Sequence, residues 1–503
     1  MEDEEELYFK TDIEIPDSFY NECISTEYNI NDLDKIIKLI NESAPLNQFK
    51  GLNGLSKLFL INDNANEPNL LYNDINKLFY FLENFPIKFK IECLNCLAGI
   101  ESYNLKINYI IKNEPTDKII KIILYILEFP NLYTLNLLKS NLDYLRLLVK
   151  NYNILQKIGA ENLYKKIRNL FEKVDSNEII IISRSLEIIN KILERNQELT
   201  ENEDIAIDLI IFLNDLMIKN DTNKEILIWS LKIIFSVTSG NVDIITEVQS
   251  KIMDKIIEIN LLKKIIDKID KLNPEDDQQE ILYNMRIVGN FGAMENSLYT
   301  DKIIELNVFD KLKLLMQDKY SIDIRKETAW IISNIAAGTI GQLTKLYENN
   351  FQDILFDNII NINSECVKIN CLWALYNFSN IPNIECLNSL IEKGFINIIM
   401  ERLKIDTGDV LGCSLEALNN ILNRGKNLDP SIYNIIENKV YELDILNELK
   451  NYLINEQPNQ MIISKIQIIL NNYFEIKNIE KFVNNNINNE NMAIITFKKN
   501  TFN

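Results

Sequence analysis

The stretch KETAWIISNIAAG, residues 326–338, is an apolar helical segment with an asparagine near its end and a glycine four residues later. Three other segments are likewise apolar helical stretches with an asparagine near the end: NMRIVGNFGA (284–293), NCLWALYNFSN (370–380) and SLEALNNILNRG (414–425). Their asparagines, Asn290, Asn334, Asn377 and Asn420, are 44, 43 and 43 residues apart. A period of about 42 residues is the sequence signature of helical repeats built from two or three helices each. Within one period, IGQLTKLYENN (340–350), FQDILFDNIINI (351–362) and SECVKINCLWALYNFSN (364–380) each place apolar residues at i, i+3, i+4 and i+7. That spacing is the mark of amphipathic helices. The glycine after the asparagine (Gly338 after Asn334, Gly99 after Asn95) is expected to take the left-handed conformation just past a helix end.

Toward the N-terminus the pattern loosens. IECLNCLAG (91–99), LYTLNLLKSN (132–141), SRSLEIINKILER (183–195) and SLKIIFSVTSG (230–240) occupy the corresponding places at uneven spacing. NQELTENEDI (196–205) and NPEDDQQE (273–280) look like inserted polar loops. The expected fold class is all-α, a right-handed superhelical solenoid of about ten armadillo-type repeats over residues 30–475. Residues 1–29 are acidic and poorly periodic, and 476–503 form an Asn-rich tail; both are expected to be largely disordered or at best loosely attached.

Composition agrees. The chain has 503 residues with only 13 glycines and 10 prolines, too few turn formers for many short strands. The net charge of −20 argues against nucleic acid and acidic membrane as partners, because phosphate contacts need Lys and Arg. An acidic surface suits basic partners or serves solubility alone. No run of apolar residues reaches the roughly 18–20 that a membrane span needs. The sequence contains no histidine, which removes Ser-His-Asp and Cys-His nucleophilic chemistry and His-based zinc sites. With no phosphate-binding glycine loop or dinucleotide fingerprint either, the chain reads as a non-enzyme with no cofactor and no metal. Cys93 and Cys96 form a lone C-x-x-C without the βαβ context of a redox motif, so helix core is the expected setting.

Trp330 and Asn334 lie four apart, as do Trp373 and Asn377, so each pair shares a helix face. Most helical tryptophans are core residues; recurrence of Trp-x-x-x-Asn at the repeat spacing favours an exposed ladder instead. Two neighbouring indoles would form a slot for the aliphatic stem of Lys or Arg, and a cation over indole gains about 0.5–2 kcal/mol. The carboxamides offer a donor and an acceptor to a peptide backbone. Glu327, one turn before Trp330, either meets a basic side chain or faces solvent. Trp229 lacks the asparagine, which leaves it as core.

KETAWIISNIAAGTIGQL, flanked by NMRIVGNFG and CLWALYNFSN, resembles importin-α, the adaptor that recognises nuclear localisation signals. YELDILNELKNYLINEQPNQMIISKIQIILNNYF (441–474) is similar to the last repeats of that family. The resemblance implies binding of basic nuclear localisation signal peptides, nuclear import, and a place in cytoplasm and nucleus. It implies a minor peptide site at Arg286, Asn290, Glu327, Trp330, Asn334, Trp373 and Asn377, with Asn370 replacing an acidic family position. For the major site, alignment by eye puts Ile91, Tyr133 and Leu186 at the tryptophan positions and Asn95, Leu137 and Asn190 at the asparagine positions. Only Asn95 and Asn190 are kept there, and Tyr133 could stack weakly. The family also implies importin-β and an export receptor as partners. In that family importin-β is bound through a basic N-terminal segment, whereas this chain starts MEDEEE without a basic cluster: either the segment was lost or the chain works without importin-β. The alternative is an armadillo-repeat scaffold with no transport role.

Overall fold

The computed structural model describes residues 16–27, 32–61, 77–103 apart from 83, 84 and 86, 117–128, 130, 135–239 apart from 176, and 247–474 apart from 406–407 and 456–459. Tyr133, residues 1–15 and the tail from 475 lie outside them.

Two compact units follow one another, Met1–Val237 and Thr238–Asn503. The first unit carries α1 (Asp17–Ser25), α2 (Leu33–Ile40), α3 (Pro45–Ile61), α4 (Ile87–Tyr103), α5 (Asp117–Glu128), α6 (Leu135–Leu148), α7 (Tyr152–Ile158), α8 (Ala160–Lys173), α9 (Ile179–Arg195), α10 (Gln197–Thr200), α11 (Glu203–Lys219) and α12 (Lys224–Ser239). The second carries α13 (Glu247–Glu258), α14 (Leu261–Lys268), α15 (Gln278–Ala293), α16 (Ser297–Glu305), α17 (Val308–Leu315), α18 (Ile322–Ala336), α19 (Ile340–Glu348), α20 (Phe351–Asn361), α21 (Glu365–Phe378), α22 (Ile384–Glu392), α23 (Phe395–Ile405), α24 (Gly408–Leu428), α25 (Pro430–Glu442), α26 (Ile445–Asn455) and α27 (Gln460–Tyr473). The fold is an all-α solenoid of armadillo-type repeats. In the second unit the helices read as triplets, and the third helices α15, α18, α21 and α24 pack side by side. In the first unit α3, α4, α6 and α9 do the same.

Isoleucine and leucine supply the seams. On α18, Ile324, Ile331, Ile332 and Ile335 are all at most 1% exposed, one apolar face wide enough to meet several neighbours at once. Asparagine supplies the punctuation. Asn296 and Asn383 cap α16 and α22 by accepting backbone N–H groups of the first turn. Asn260, Asn307 and Asn350 take φ near +60° at the corner between the first and second helix of a triplet. Gly159, Gly394 and Asp444 hold the matching corners. Left-handed backbone is cheapest for Gly, Asn and Asp, so this corner selects them.

Gly338 is not left-handed, contrary to the sequence expectation, and Gly99 lies inside α4. A Cβ on Gly338 would lie 2.1 Å from Oε1 of Gln342 and 3.1 Å from the Ile335 carbonyl. Gln342 cannot yield. Its Oε1 accepts the Thr339 N–H in a capping box, and its Nε2 donates to Ser297 O and Asp301 Oδ1 of α16. The glycine is there for space, and it lets one glutamine tie two successive first helices together.

Two further expectations change. Within the acidic 1–29 stretch, Asp17–Ser25 is helical, and Lys57 of α3 donates to the Cys23 and Thr26 carbonyls at its C-terminal end. The 196–205 insertion contains α10 and the start of α11, so it is a shortened first helix rather than a loop.

The cysteines are free thiols. Cys93 and Cys96 are fully buried in α4, and burial pushes both thiols up. Burial also pushes Cys371 and Cys386 up to about 12. A raised pKa keeps the thiol protonated, and the thiolate is the reactive form. A maleimide at about pH 8 is therefore expected to modify exposed Cys366 quickly. The other six should react only on unfolding, and mass-mapped labelling of Cys93 or Cys96 in the native protein would contradict this setting.

Candidate functional site

The third helices of the second unit bring the Trp/Asn positions into one patch. Arg286 and Asn290 are on α15, Glu327, Trp330 and Asn334 on α18, and Trp373 and Asn377 on α21. These helices pack as successive neighbours, so the columns read off the sequence are adjacent in space.

The chain itself holds the charged members of this patch. Arg286 donates from Nε and Nη2 to Oε1 of Glu327, at 3.1 and 3.0 Å. Its guanidinium also lies 5.4 Å from the Tyr283 ring centroid. Asn290 donates from Nδ2 to Thr238 Oγ1 at 2.8 Å. Asn370 is 2% exposed and turns back to donate to the Cys366 carbonyl of its own helix. In the next repeat Asn420 donates to Ser379 Oγ and Asn380 Oδ1, and Arg424 donates to the Asn380 carbonyl.

The two indoles differ. Trp373 is half-buried with a solvent-facing side, and Asn377 beside it is half-buried too. Trp330 is only 7% exposed. Its ring lies on α15 at Gly289, where a Cβ would sit 2.2 Å from Cζ3. The expectation of a slot between two indoles therefore becomes a floor, Trp330, and a half-buried indole, Trp373. The reason is Gly289, whose missing side chain lets the ring lie down. Asn334 is 2% exposed, and its Nδ2 has no hydrogen-bond partner among the described residues.

In the first unit, Asn95 accepts from Ser140 Oγ at 2.6 Å. Asn190 is 5% exposed and donates to Glu194 on its own helix. Leu137 and Leu186 are fully buried and Ile91 nearly so. The side chains that reach the surface on these helices are others: Asp143 and Arg146 on α6, Arg184, Glu187 and Lys191 on α9, and Trp229 and Lys232 on α12. Arg184 Nε lies 2.5 Å from Asp143 Oδ1, Arg146 Nη1 donates to Glu187 Oε2 at 3.2 Å, and Lys191 donates to Glu187 Oε1. Lys232 Nζ sits 4.2 Å from the centroid of the Trp229 indole, within cation–π reach. Burial, opposed by the paired charges, pulls Arg184, Lys191 and Lys232 below their usual range and pushes Asp143 above it.

Sequence reading missed this lattice because it followed asparagines. The available signal was charge at 184, 187 and 191, a three-then-four spacing that keeps all three on one helix face.

No family model matches the chain. Over 179 residues it is 25% identical to probable importin subunit alpha-A of Dictyostelium discoideum, a match spanning 36% of this chain and 29% of that protein. Among solved structures, an engineered protein of the Northeast Structural Genomics Consortium has the same fold. It shows a TM-score of 0.59 at 15% identity, covering 88% of this chain and 99% of that one. A designed armadillo-repeat protein in complex with a (KR)4 peptide covers 53% of this chain and 99% of its own, with 22% identity and a TM-score of 0.41. Over part of its length the chain is thus similar to an importin-α subunit, on a fold of armadillo-type repeats.

Proposed function

We propose that the second unit binds extended basic peptides along its third-helix face, as an importin-α-like adaptor for proteins carrying nuclear localisation signals. The observation that carries this reading is the half-buried Trp373, one side in solvent, with Asn377 beside it, next to Trp330 and Asn334 on the neighbouring helix. A Lys or Arg stem stacks on the Trp373 indole, and Asn377 meets the peptide backbone. Asn334 holds an orphan donor, and leaving one unmet costs about 1–3 kcal/mol. A carboxamide that swings out to a ligand carbonyl recovers part of that cost. Glu327 becomes available to a basic side chain only by releasing Arg286. The partial match to an importin-α subunit supports nuclear transport, and with it an export receptor as partner and a place in both cytoplasm and nucleus. The protein acts by binding and has no catalytic role.

A second reading, a protein-binding scaffold outside transport, is favoured by the first unit, whose surface columns hold charges where the second unit holds indoles and carboxamides.

The test is fluorescence anisotropy with a labelled lysine-rich nuclear-signal peptide. Trp373→Ala is expected to weaken binding about tenfold, because the aromatic contact and the desolvated stem are lost together. Equal affinity of wild type and Trp373→Ala would end the adaptor reading.

A further inference from the structure

Each corner of the second unit where a third helix hands over to the next first helix carries an exposed aliphatic side chain. Leu298 stands at the corner after α15, Ile340 after α18, Ile384 after α21 and Leu428 after α24, at separations of 42, 44 and 44 residues. These four are 37–67% exposed. Single exposed aliphatics are ordinary, whereas one at every corner draws an apolar line along one edge. Hydrogen bonds tie neighbouring corners together. Gln342, two residues past Ile340, donates to the Ser297 carbonyl beside Leu298 at 2.9 Å. Arg424, one turn before Leu428, donates to the carbonyl of Asn380, four residues before Ile384. Glu295 and Glu385 are exposed at the Leu298 and Ile384 corners, and neither is held in an ion pair among the described residues.

The chain leaves α27 on this same edge. α27 is the third helix of the last triplet and packs on α24. Lys426 of α24 donates to the Asn472 carbonyl at 3.3 Å, and Tyr433 of α25 donates to the Tyr473 carbonyl at 3.2 Å. Phe474 meets Tyr441 of α25 edge-on, with ring centroids 5.6 Å apart. The chain therefore continues from the Leu428 corner into residues 475–503. Of these, 475–490 mix Glu475, Glu480 and Glu490 with Lys477 and Lys481. Residues 491–503, NMAIITFKKNTFN, differ: an apolar run is followed by Lys498 and Lys499, with no acidic side chain.

We propose that residues 491–503 dock on the corner edge of the second unit of their own chain. Met492, Ile494, Ile495 and Phe497 cover Leu428, Ile384 and Ile340, and Lys498 and Lys499 turn to Glu385 and Glu295. Reach is sufficient. The 17 residues 475–491 span up to about 55 Å when extended. Packed helices stand about 10 Å apart, so the Ile340 corner, three repeats back from α27, is about 30 Å away. Burial of the apolar run drives the contact, and the charges select its place, since this is a basic segment on a chain of net charge −20. A tethered segment also meets its site at an effective concentration of about a millimolar, so modest contacts suffice. The edge uses neither Trp373 nor Asn377, and the inference does not depend on the adaptor reading.

The experiment compares the full chain with a chain shortened at Glu490, each titrated against fluorescein-labelled NMAIITFKKNTFN. The shortened chain is expected to bind the peptide saturably, and the full chain about tenfold more weakly, because its own segment competes. Ile340→Ser with Ile384→Ser, both at exposed positions, is expected to weaken binding to the shortened chain about tenfold with an unchanged thermal melt. A peptide carrying Lys498→Glu and Lys499→Glu is expected to bind about tenfold more weakly, by a margin that narrows as salt rises. Trp373→Ala is expected to leave affinity for this peptide unchanged. Equal affinity of the full and shortened chains, or of the shortened chain with and without the two serines, would overturn the proposal. So would absence of binding at about a millimolar, the concentration the tether supplies. Loss of binding in Trp373→Ala would place the segment in the peptide site instead, and a dimer formed by the full chain but not the shortened one would make a second copy the occupant; either result overturns it. Should the serine variant shift the melt, the Glu-substituted peptide, which leaves the protein untouched, carries the same test: affinity equal to that of the unaltered peptide would sink the docking.

Discussion

Trp330→Ala is expected to lower stability by about 3–5 kcal/mol, the cost of removing a large aromatic side chain from a packed interior. The indole is 7% exposed and fills the space over Gly289, on the helix that precedes its own. Its loss opens a void between α15 and α18 that neither helix can close alone. Gly289 has no side chain to fill it, and Ile287, Ile331 and Ile332, all fully buried, are committed to other packing. The same change at Trp373 is expected to cost only about 1–2 kcal/mol, because that ring keeps one side in solvent. Urea denaturation of the two variants separates the roles: similar losses would mean that Trp330 is no more a core residue than Trp373. The contrast also governs how binding data are read. A peptide-binding defect in Trp330→Ala mixes lost structure with lost contact, whereas one in Trp373→Ala reports contact.

The repeat period and the third helices were legible in the sequence because a period near 43 residues with apolar i, i+3, i+4 spacing leaves few other architectures. Asn290, Asn334 and Asn377 locate the ends of α15, α18 and α21 for the same reason, whereas Asn420 falls in the middle of α24, which runs on to Leu428. What the sequence could not show is which face each side chain takes once a neighbour is present. Trp330 and Trp373 sit in the same local pattern, and the space left by Gly289 on the preceding helix admits the Trp330 ring. In the first unit, following asparagines led to Leu186 and Asn190, which are buried. The surface line Arg184, Glu187, Lys191 lies a fraction of a turn away, and that is the size of error a single mis-set register produces on a helix. The corner asparagines escaped notice because a left-handed residue between two helices leaves no periodic trace.

Gly289→Ala is expected to be destabilising by about 1–3 kcal/mol in the wild type, yet stabilising by up to about 1 kcal/mol when Trp330 is already alanine. The new methyl would meet Cζ3 of Trp330 at 2.2 Å, with Cε3 and Cη2 at 3.0 Å, and a rigid ring offers no flexible end to move aside. Gly289 is mid-helix and buried, so the added Cβ also helps α15 by removing glycine's excess backbone freedom. In the wild type the clash outweighs that gain. Without the indole the clash disappears, the methyl fills part of the void, and the helix gain remains. The coupling between the two positions should then reach about 2–3 kcal/mol, at the upper end for residues in direct contact. Additive effects in the four-member mutant cycle would show that the ring does not rest on Gly289. The sign change carries the inference, since general damage to α15 would make Gly289→Ala costly in both backgrounds. It also bears on the peptide site: Arg286 and Asn290 flank Gly289 on α15, so whatever lifts the indole off this glycine disturbs the pairing of Arg286 with Glu327 as well.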